Sequence, residues 1–430
     1  MKTIQLFLAG CLLLFMVTDT MYGIPAFARK YRTSCATCHN GYPNLTPFGE
    51  AFRRSGYQFP AGTDAEFTKE QPIPLGSEGS KRAFPDAIWP GTIPGTSPIS
   101  FIFTGEMDYN PNEAPRFTFG DMGSEVEAIA AGTVGEDVSF WGHAIFSSEG
   151  LELNRIFMVF SNLIGNSYAF NARVGVFEPS MFSFSTHRGW LEGYWLTTRA
   201  FSDDMGWTIE EFQKGLEING MLGGRWVYAA GMVEGFGTPH SGKDFYGHIG
   251  YKLGGMRVDG VTEGAPSTGS SEPYIDDSFT LGAFAYSGNA MIGPDTLLQQ
   301  DKFSMIGGDF NAFYGRCNLF GGLGIRHDDQ PYLELPGKAA NSTVWFTQFD
   351  LVIYPWLLPG IRYESWAGHM IDPNSGQPVS YTDSQFVPGI VFLIRPNVKV
   401  TLRTSISKSE SAGETKYSLG QVGLALTFGI

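Results

Sequence analysis

From about Ser97 to the C-terminus, short segments alternate apolar and polar residues, and turn-forming residues separate them. The segment 416–430 shows the pattern best. One of its faces carries Val422, Leu424, Leu426 and Phe428, and the other carries Gln421, Gly423, Ala425 and Thr427. In the segment 396–408, Val398, Val400, Leu402 and Ile406 alternate with Lys399, Thr401, Arg403 and Ser405. Because successive side chains of a β-strand point to opposite faces, this period of two predicts strands with one apolar and one polar face.

The pattern predicts sixteen strands, and boundary errors of about ±2–4 residues leave fourteen or eighteen as alternatives. The segments are 97–109, 123–133, 137–147, 154–162, 166–177, 207–222, 224–236, 243–256, 277–288, 300–314, 316–327, 341–356, 358–370, 383–395, 396–408 and 416–430. Longer connections, rich in Gly, Pro, Asp and Ser, fall at 178–206, 257–276, 289–299, 328–340 and 371–382. An even number of alternating strands fits an antiparallel barrel. A soluble sandwich also alternates, but it would need the apolar faces of two sheets to meet.

Composition favours a barrel that faces lipid. The chain of 430 residues has 55 glycines, 14% aromatic residues and 17% charged residues, whereas a typical soluble protein has roughly 25% charged residues. Lipid-facing strands carry few charges, and aromatic residues line both membrane interfaces. No window after the N-terminus offers the about 18 uninterrupted apolar residues of a membrane helix. The predicted fold class is all-β, with an outer-membrane antiparallel β-barrel of about 16 strands over residues 97–430.

Residues 1–23 have the pattern of a secretory signal peptide. Met1-Lys2 is a short positive region, and the apolar run from Ile4 to Val17 is too short and too close to the terminus for a stop-transfer helix. Cleavage after Gly23 is predicted, and the small-residue triplet Ala26-Phe27-Ala28 is the alternative site. Export predicts an outer-membrane location and maturation on the periplasmic side.

Residues 24–60 surround the motif Cys35-Ala36-Thr37-Cys38-His39, and the Pro- and Gly-rich residues 61–96 form a predicted linker. The CxxCH spacing predicts one covalent haem c, in which both thiols form thioethers and the imidazole binds the iron as the proximal ligand. A zinc site would need a second ligand pair, and the remaining cysteines, Cys11 and Cys317, do not form one. A thioredoxin-like motif would need a βαβ context, which does not surround this one. About 37 residues cannot build a free-standing core, so the haem or the barrel wall must hold this monohaem cytochrome c module.

The sixth coordination position of the iron has no evident ligand in this module, because no Met or His occurs between Asn40 and Glu106. A ligand from the barrel, a ligand before the motif and five-coordinate iron all remain open. The barrel candidates are Met107, His143, His187, His240, His248, His327 and His369. Candidates for pairing with a haem propionate are Arg29, Arg32, Arg53 and Arg54.

A longer pattern continues on both sides of the motif. It consists of Pro25-Ala26-Phe27-Ala28-Arg29, Ser34-Cys35-Ala36-Thr37-Cys38-His39, Pro43-Asn44-Leu45-Thr46-Pro47-Phe48-Gly49, Phe52 and Gly56-Tyr57. Over about residues 24–58 the chain resembles the fused monohaem c-type cytochrome–porin family, whose best-known members are outer-membrane iron(II) oxidases. The resemblance implies that a small cytochrome plugs a large barrel and passes electrons inward to periplasmic cytochromes.

The net charge of −14 disfavours nucleic acid and favours cationic partners. Oxygen ligands suit a hard divalent cation, and acidic candidates for collecting Fe²⁺ are Asp203-Asp204, Glu210-Glu211, Asp276-Asp277, Asp328-Asp329 and, in the lumen, Asp309 with Asn311. The main hypothesis is an iron(II):cytochrome oxidoreductase that takes electrons from extracellular Fe(II) or another donor. It delivers them to a periplasmic cytochrome or other carrier, and no catalytic residue is expected apart from the haem site. The alternatives are a solute porin with a structural or sensory haem plug and a conduit that exports electrons to extracellular acceptors.

Overall fold

The structure is a computed structural model of the chain. It describes residues 26–60, 62–71, 73–74, 76–86, 92–93, 95–120, 125–135, 137–148, 150–191, 193–198, 212–235, 242–261, 272, 274–293, 299–333, 335–371, 376–395, 397–411 and 414–430. The predicted signal peptide, parts of the predicted linker and three further predicted sites lie outside the described residues. These sites are His240, Asp203-Asp204 and Glu210-Glu211.

The alternating segments form one closed antiparallel barrel of sixteen strands, as predicted. In chain order the strands are β1 Ile99–Tyr109, β2 Phe117–Phe119 and Val126–Thr133, β3 Val138–Ser147, β4 Gly150–Phe160, β5 Asn171–Phe177, β6 Gln213–Leu222, β7 Trp226–Val233, β8 Asp244–Gly254, β9 Asp276–Ile292, β10 Gln299–Gly315, β11 Cys317–Asp328, β12 Ala340–Leu351, β13 Leu357–Ile371, β14 Pro378–Arg395, β15 Val398–Arg403 and Ile406–Ser411, and β16 Glu414–Leu419 and Val422–Gly429. Each strand pairs with the next, and β16 closes the barrel on β1, where Leu426 lies opposite Gly105.

The outer surface of the barrel is apolar and the inner surface is polar. Along β10, Ile306 is 61% exposed, whereas the inward-facing Asp301 and Asp309 are 2% exposed. The same alternation exposes Ile249, Leu253, Leu281, Leu319, Leu323 and Ile325 on the outside. A continuous apolar outer belt is stable against lipid rather than water. The apolar faces do not meet each other, so the sandwich alternative is wrong.

Among the described residues, no helix is long and apolar enough to cross a membrane.

Short helices precede the barrel. They are α1 Ala26–Tyr31, a 3₁₀ turn at Cys35–Thr37, α2 Pro47–Arg54, α3 Asp64–Phe67 and α4 Glu78–Ala83, and Ile73–Pro74 pairs with Thr92–Ile93. Helix α2 begins at Pro47 because the hydroxyl of Thr46 accepts a hydrogen bond from the amide of Gly49 at 3.0 Å. The sequence predicts a short helix at 51–54, and the structure extends it to 47–54.

Residues 26–60, which we call the module, lie inside the barrel. Phe27 stacks on Tyr57 with ring centroids 5.7 Å apart, and Tyr57 stacks on Trp141 of the wall at 5.2 Å. The amide of Ala26 donates to the hydroxyl of Ser100 at 2.7 Å. Since so short a segment cannot bury enough apolar surface by itself, the wall completes the core of the module.

The module occupies the barrel end that carries the C-terminus and several short turns. It contacts this end through Ser100 and through Tyr168, whose hydroxyl donates to Gln58 at 3.0 Å. Short connections at this end include the one between Thr133 and Val138, the turn 223–225 and the single residue Arg316. Barrels that span outer membranes place their short turns on the periplasmic side, and we call this the periplasmic end.

The connection from β5 to β6 differs from its prediction as an ordinary barrel loop over 178–206. Its described residues 178–191 and 193–198 fold back into the lumen, and this part of the chain is called the inward loop. It contains helix α5, Trp195–Thr198, and it buries Met181, Phe182, Phe184, Trp190, Leu191, Tyr194 and Leu196. The far wall holds it: the amide of Ser183 donates to Asp309 at 2.8 Å and that of Trp195 donates to Glu364 at 2.7 Å. Carboxylates on distant strands decide this path, so the composition of the loop alone does not reveal it.

Candidate functional site

A cavity of about 460 Å³ lies in the lumen between the module, the inward loop and the wall. The wall contributes inward-facing residues of β1 to β4, β15 and β16, and the inward loop contributes residues 187–191. Cys35, Cys38 and His39 all line this cavity. Its volume is in the range of roughly 300–1,000 Å³ that is usual for ligand and cofactor sites.

A tight turn places the three motif side chains on one surface. The amides of Cys38 and His39 donate to the carbonyl of Cys35 at 3.2 and 2.9 Å. Both cysteines are half-buried and neither forms a disulfide. Helix α2 packs closely behind the turn, because a Cβ on Gly49 would lie 2.1 Å from the carbonyl oxygen of Cys38. Glycine at this position therefore allows the helix to support the motif.

The imidazole of His39 is oriented by the backbone. Its Nδ1 lies 3.1 Å from the carbonyl oxygen of Pro43, so Nδ1 carries the proton and donates. This tautomer leaves the lone pair on Nε2, as in histidines whose other ring nitrogen is held by a carbonyl while they bind a metal. Burial, followed by the nearby charge of Arg188, lowers the pKa of His39 to about 4. The ring is therefore neutral and can bind a metal through Nε2.

Three cationic side chains line the same cavity without a salt bridge to a carboxylate of the described residues: Arg155, Arg188 and Lys399. Arg155 stacks over Phe212 at 4.5 Å and Arg188 over Trp141 at 5.4 Å. The Nε atoms of Arg155 and Arg188 are buried and have no hydrogen-bond partner in the described part of the chain. Lys399 donates to the carbonyl of Tyr42. Arg155 is buried, and Arg188 and Lys399 are half-buried. Cations that are withdrawn from water without a salt bridge are costly, so this cavity suits an anionic ligand.

These observations together meet the requirements of covalent haem c. Two thiols and the imidazole of His39 face one cavity, and cations without a salt bridge among the described residues are available there for two propionates. Sequence reasoning missed the three cations. Lys399 was visible as a polar-face residue of its strand, whereas Arg188 comes from a loop that no local pattern places in the lumen.

The four predicted propionate partners lie in different surroundings. Arg29 donates to the carbonyl of Ser97 at 3.1 Å. Arg53 lines the cavity but pairs with Glu50 at 2.8 Å, and Arg54 donates to the carbonyl of Ser183 at 2.6 Å. Arg32 is exposed.

The structure separates the candidates for the sixth position. His143 and His187 line the cavity. Met107, His327 and His369 share the outward-facing register of their strands, and His248 is buried against Asp309, with Nε2 to Oδ2 at 2.9 Å, without lining the cavity. Only two of the six described candidates therefore share a cavity with His39.

The acidic candidates mostly have structural partners. Asp276 pairs with Lys252 at 2.9 Å, and Asp328 pairs with Arg326 at 2.6 Å. The side chain of Asn318 donates to Asn311 at 2.6 Å. Within the described ranges, no group of three or more His, Cys, Asp or Glu side chains is arranged to hold a metal ion.

Solved structures share the barrel. The trimer form of in-vitro folded OmpT, an outer membrane protein of Vibrio cholerae, gives a TM-score of 0.53 at 11% identity and covers 78% of this chain and 99% of that one. Another structure of in-vitro folded OmpT gives 0.50 at 10% identity, over 77% of this chain and 96% of that one. The outer membrane channel DcaP of Acinetobacter baumannii gives 0.47 at 11% identity, over 77% and 96%.

No protein-family model matches the chain, and no curated protein sequence matches it. The structural likeness shows a porin-like fold of the outer-membrane β-barrel type, in agreement with the predicted location.

Proposed function

We propose that this chain binds one covalent haem c in its lumen and carries single electrons across the outer membrane. The donor is extracellular Fe(II), as the sequence resemblance implies, and the acceptor is a periplasmic cytochrome or similar carrier. The supporting observation is that the CxxCH side chains line a cavity inside a lipid-facing barrel. A soluble cytochrome would need no such wall.

Each part of the site has a role in this proposal. Cys35 and Cys38 form the thioethers, and His39 offers Nε2 to the iron while Pro43 fixes its ring. Arg155, Arg188 and Lys399 neutralise the propionates, which removes the cost of three cations that have no salt bridge among the described residues. When bound, haem supplies reversible one-electron exchange at its iron.

The position of the module fits an inward transfer. It lies at the periplasmic end, where a carrier can approach, and the cavity lies further into the barrel beside Glu106 and Glu127 of the wall. Each Fe²⁺ that becomes Fe³⁺ releases one electron, and that electron reduces one molecule of a one-electron carrier. No proton or oxygen is consumed. Because only the electron crosses the membrane, the donor does not need to enter the periplasm.

A second candidate is a solute porin in which the haem is a structural or sensory plug. The porin-like fold supports it. The module and the inward loop occupy much of the lumen, so this function requires either of them to move or a path beside them. An electron conduit running outward uses the same site, and the relative potentials of donor and acceptor decide its direction.

The decisive experiment adds Fe²⁺ anaerobically to the oxidised full-length protein and follows the haem absorbance. The proposal predicts reduction by one electron per chain, and subsequent reoxidation by a c-type cytochrome. The control is the Cys35→Ser/Cys38→Ser variant, which should show neither change. A haem that stays oxidised in excess Fe²⁺ overturns the iron donor, and rapid solute uptake by liposomes that carry the haem-loaded protein supports the porin function.

A further inference from the structure

Two histidines other than His39 line the cavity, and they differ in what their ring nitrogens do. His143 lies on β3, where Nε2 contacts Glu127 Oε2 at 3.0 Å and Nδ1 contacts Arg155 Nη2 at 3.3 Å. Both nitrogens are thus engaged in a wall network. To bind iron, His143 would have to give up a charge-assisted hydrogen bond in a buried site, which is unfavourable.

His187 is different. It lies on the inward loop in the 3₁₀ turn Thr186–Arg188, and its half-buried ring stands edge-on to Phe212 with centroids 4.6 Å apart. Neither ring nitrogen has a hydrogen-bond partner among the described residues. The ring therefore has a nitrogen available on the surface of the cavity.

The backbone at His187 is fixed by the carboxylate of Glu178. Oε1 of Glu178 accepts from the amide and the hydroxyl of Thr186, both at 3.0 Å, and from the amide of His187 at 3.3 Å. Oε2 of the same carboxylate accepts from the hydroxyl of Ser185 at 2.8 Å. Four bonds to one half-buried carboxylate hold this turn in place, as expected for a support that positions a metal ligand.

We infer that His187 supplies the sixth ligand of the haem iron, an inference that rests on the proposed function. His39 belongs to the module, which enters at the periplasmic end, and His187 belongs to a loop that descends from the opposite end. A flat macrocycle between them would receive one imidazole on each face. The haem would then cross-link the module to the inward loop, two elements that also meet where Arg54 donates to the carbonyl of Ser183.

The test compares spin states of full-length His187→Ala and His143→Ala proteins by electron paramagnetic resonance and visible absorption. The inference predicts low-spin, six-coordinate iron in the unchanged protein and in His143→Ala. It predicts loss of the low-spin signal in His187→Ala and its recovery on addition of imidazole. A His187→Met variant should stay six-coordinate with a raised midpoint potential, because methionine ligation raises the potential.

A low-spin signal that persists in His187→Ala, or one that is lost in His143→Ala instead, overturns the assignment. High-spin iron in the unchanged protein also overturns it. Haem staining of each variant on a denaturing gel distinguishes a wrong sixth ligand from a failure of the proposed function. Covalent haem with the wrong spin state refutes His187 alone, whereas absence of covalent haem from the unchanged protein refutes the proposed function.

Discussion

The barrel wall and the contents of its lumen are specified in different ways. In the wall, apolar residues recur at every second position. Local sequence therefore identifies a strand, as Val422, Leu424 and Leu426 do, without reference to any other part of the chain. The lumen contents depend on single contacts between distant residues, such as Trp195 with Glu364 and Ala26 with Ser100. The wall therefore tolerates many local changes, whereas the site depends on a few buried polar bonds.

The largest expected effect comes from breaking a polar anchor of the inward loop. Glu364 is fully buried, pairs with Arg362 at 2.9 Å and accepts from the amide of Trp195. Removing one partner of a buried pair costs about 3–5 kcal/mol. Glu364→Leu should release the inward loop while the barrel still forms, which limited proteolysis and heat-modifiable gel migration can show separately. Replacing Arg362 by Leu as well should reduce the cost, and equal damage in both variants would contradict the pairing argument.

A substitution in the wall should destabilise the barrel itself, rather than release the lumen contents from an intact barrel. Ile306 faces outward near the middle of β10, and a Lys near the bilayer midplane costs about 2–4 kcal/mol. Ile306→Lys should lower the stability of the whole barrel in urea titrations in lipid, and the lumen contents should be lost only together with the wall. Loss of the module at a lower urea concentration than the barrel would contradict this order.

The close approach behind the motif gives the next effect. A side chain at Gly49 would overlap the carbonyl of Cys38, and overpacking costs about 1–3 kcal/mol. Gly49→Val should increase hydrogen exchange in residues 26–60 without altering the barrel. Gly142→Ala is the matched control, because the nearest atom to its added Cβ lies 3.8 Å away. Equal exchange in both variants would show that this contact does not support the motif.

The smallest effect is a dependence on acid. Burial alone would raise the pKa of Glu178, but Arg53, the hydroxyl of Ser185 and Arg188 lower it below its ordinary value of 4.5. A carboxyl whose folded pKa is depressed stabilises the fold above its ordinary pKa and loses that contribution as the pH falls through the folded value. The inward loop should stay docked from neutral pH to about 4.5 and loosen only below it, as measured by tryptophan fluorescence. Glu178→Gln should remove this dependence.

Much of the wall could be predicted from local sequence, whereas the haem chemistry of the motif stays a prediction. The strand count follows from alternation, and the CxxCH residues follow from their spacing. The alternation could also have excluded Met107 as a ligand of the haem iron. Met107 shares the outward face of Phe101 and Phe103, so it cannot reach the lumen. The path of the inward loop and the meeting of Arg155 with Arg188 could not be predicted, because each depends on side chains that only the closed barrel brings together.

The central claim is that the lumen cavity holds covalent haem. The most direct measurement is a pyridine haemochrome determination on the purified full-length protein, made beside the Cys35→Ser/Cys38→Ser variant. We predict one haem per chain that resists acid–acetone extraction, and none in the variant, while both proteins form folded barrels. Absence of haem from the unchanged protein, or covalent haem in the variant, would contradict the account.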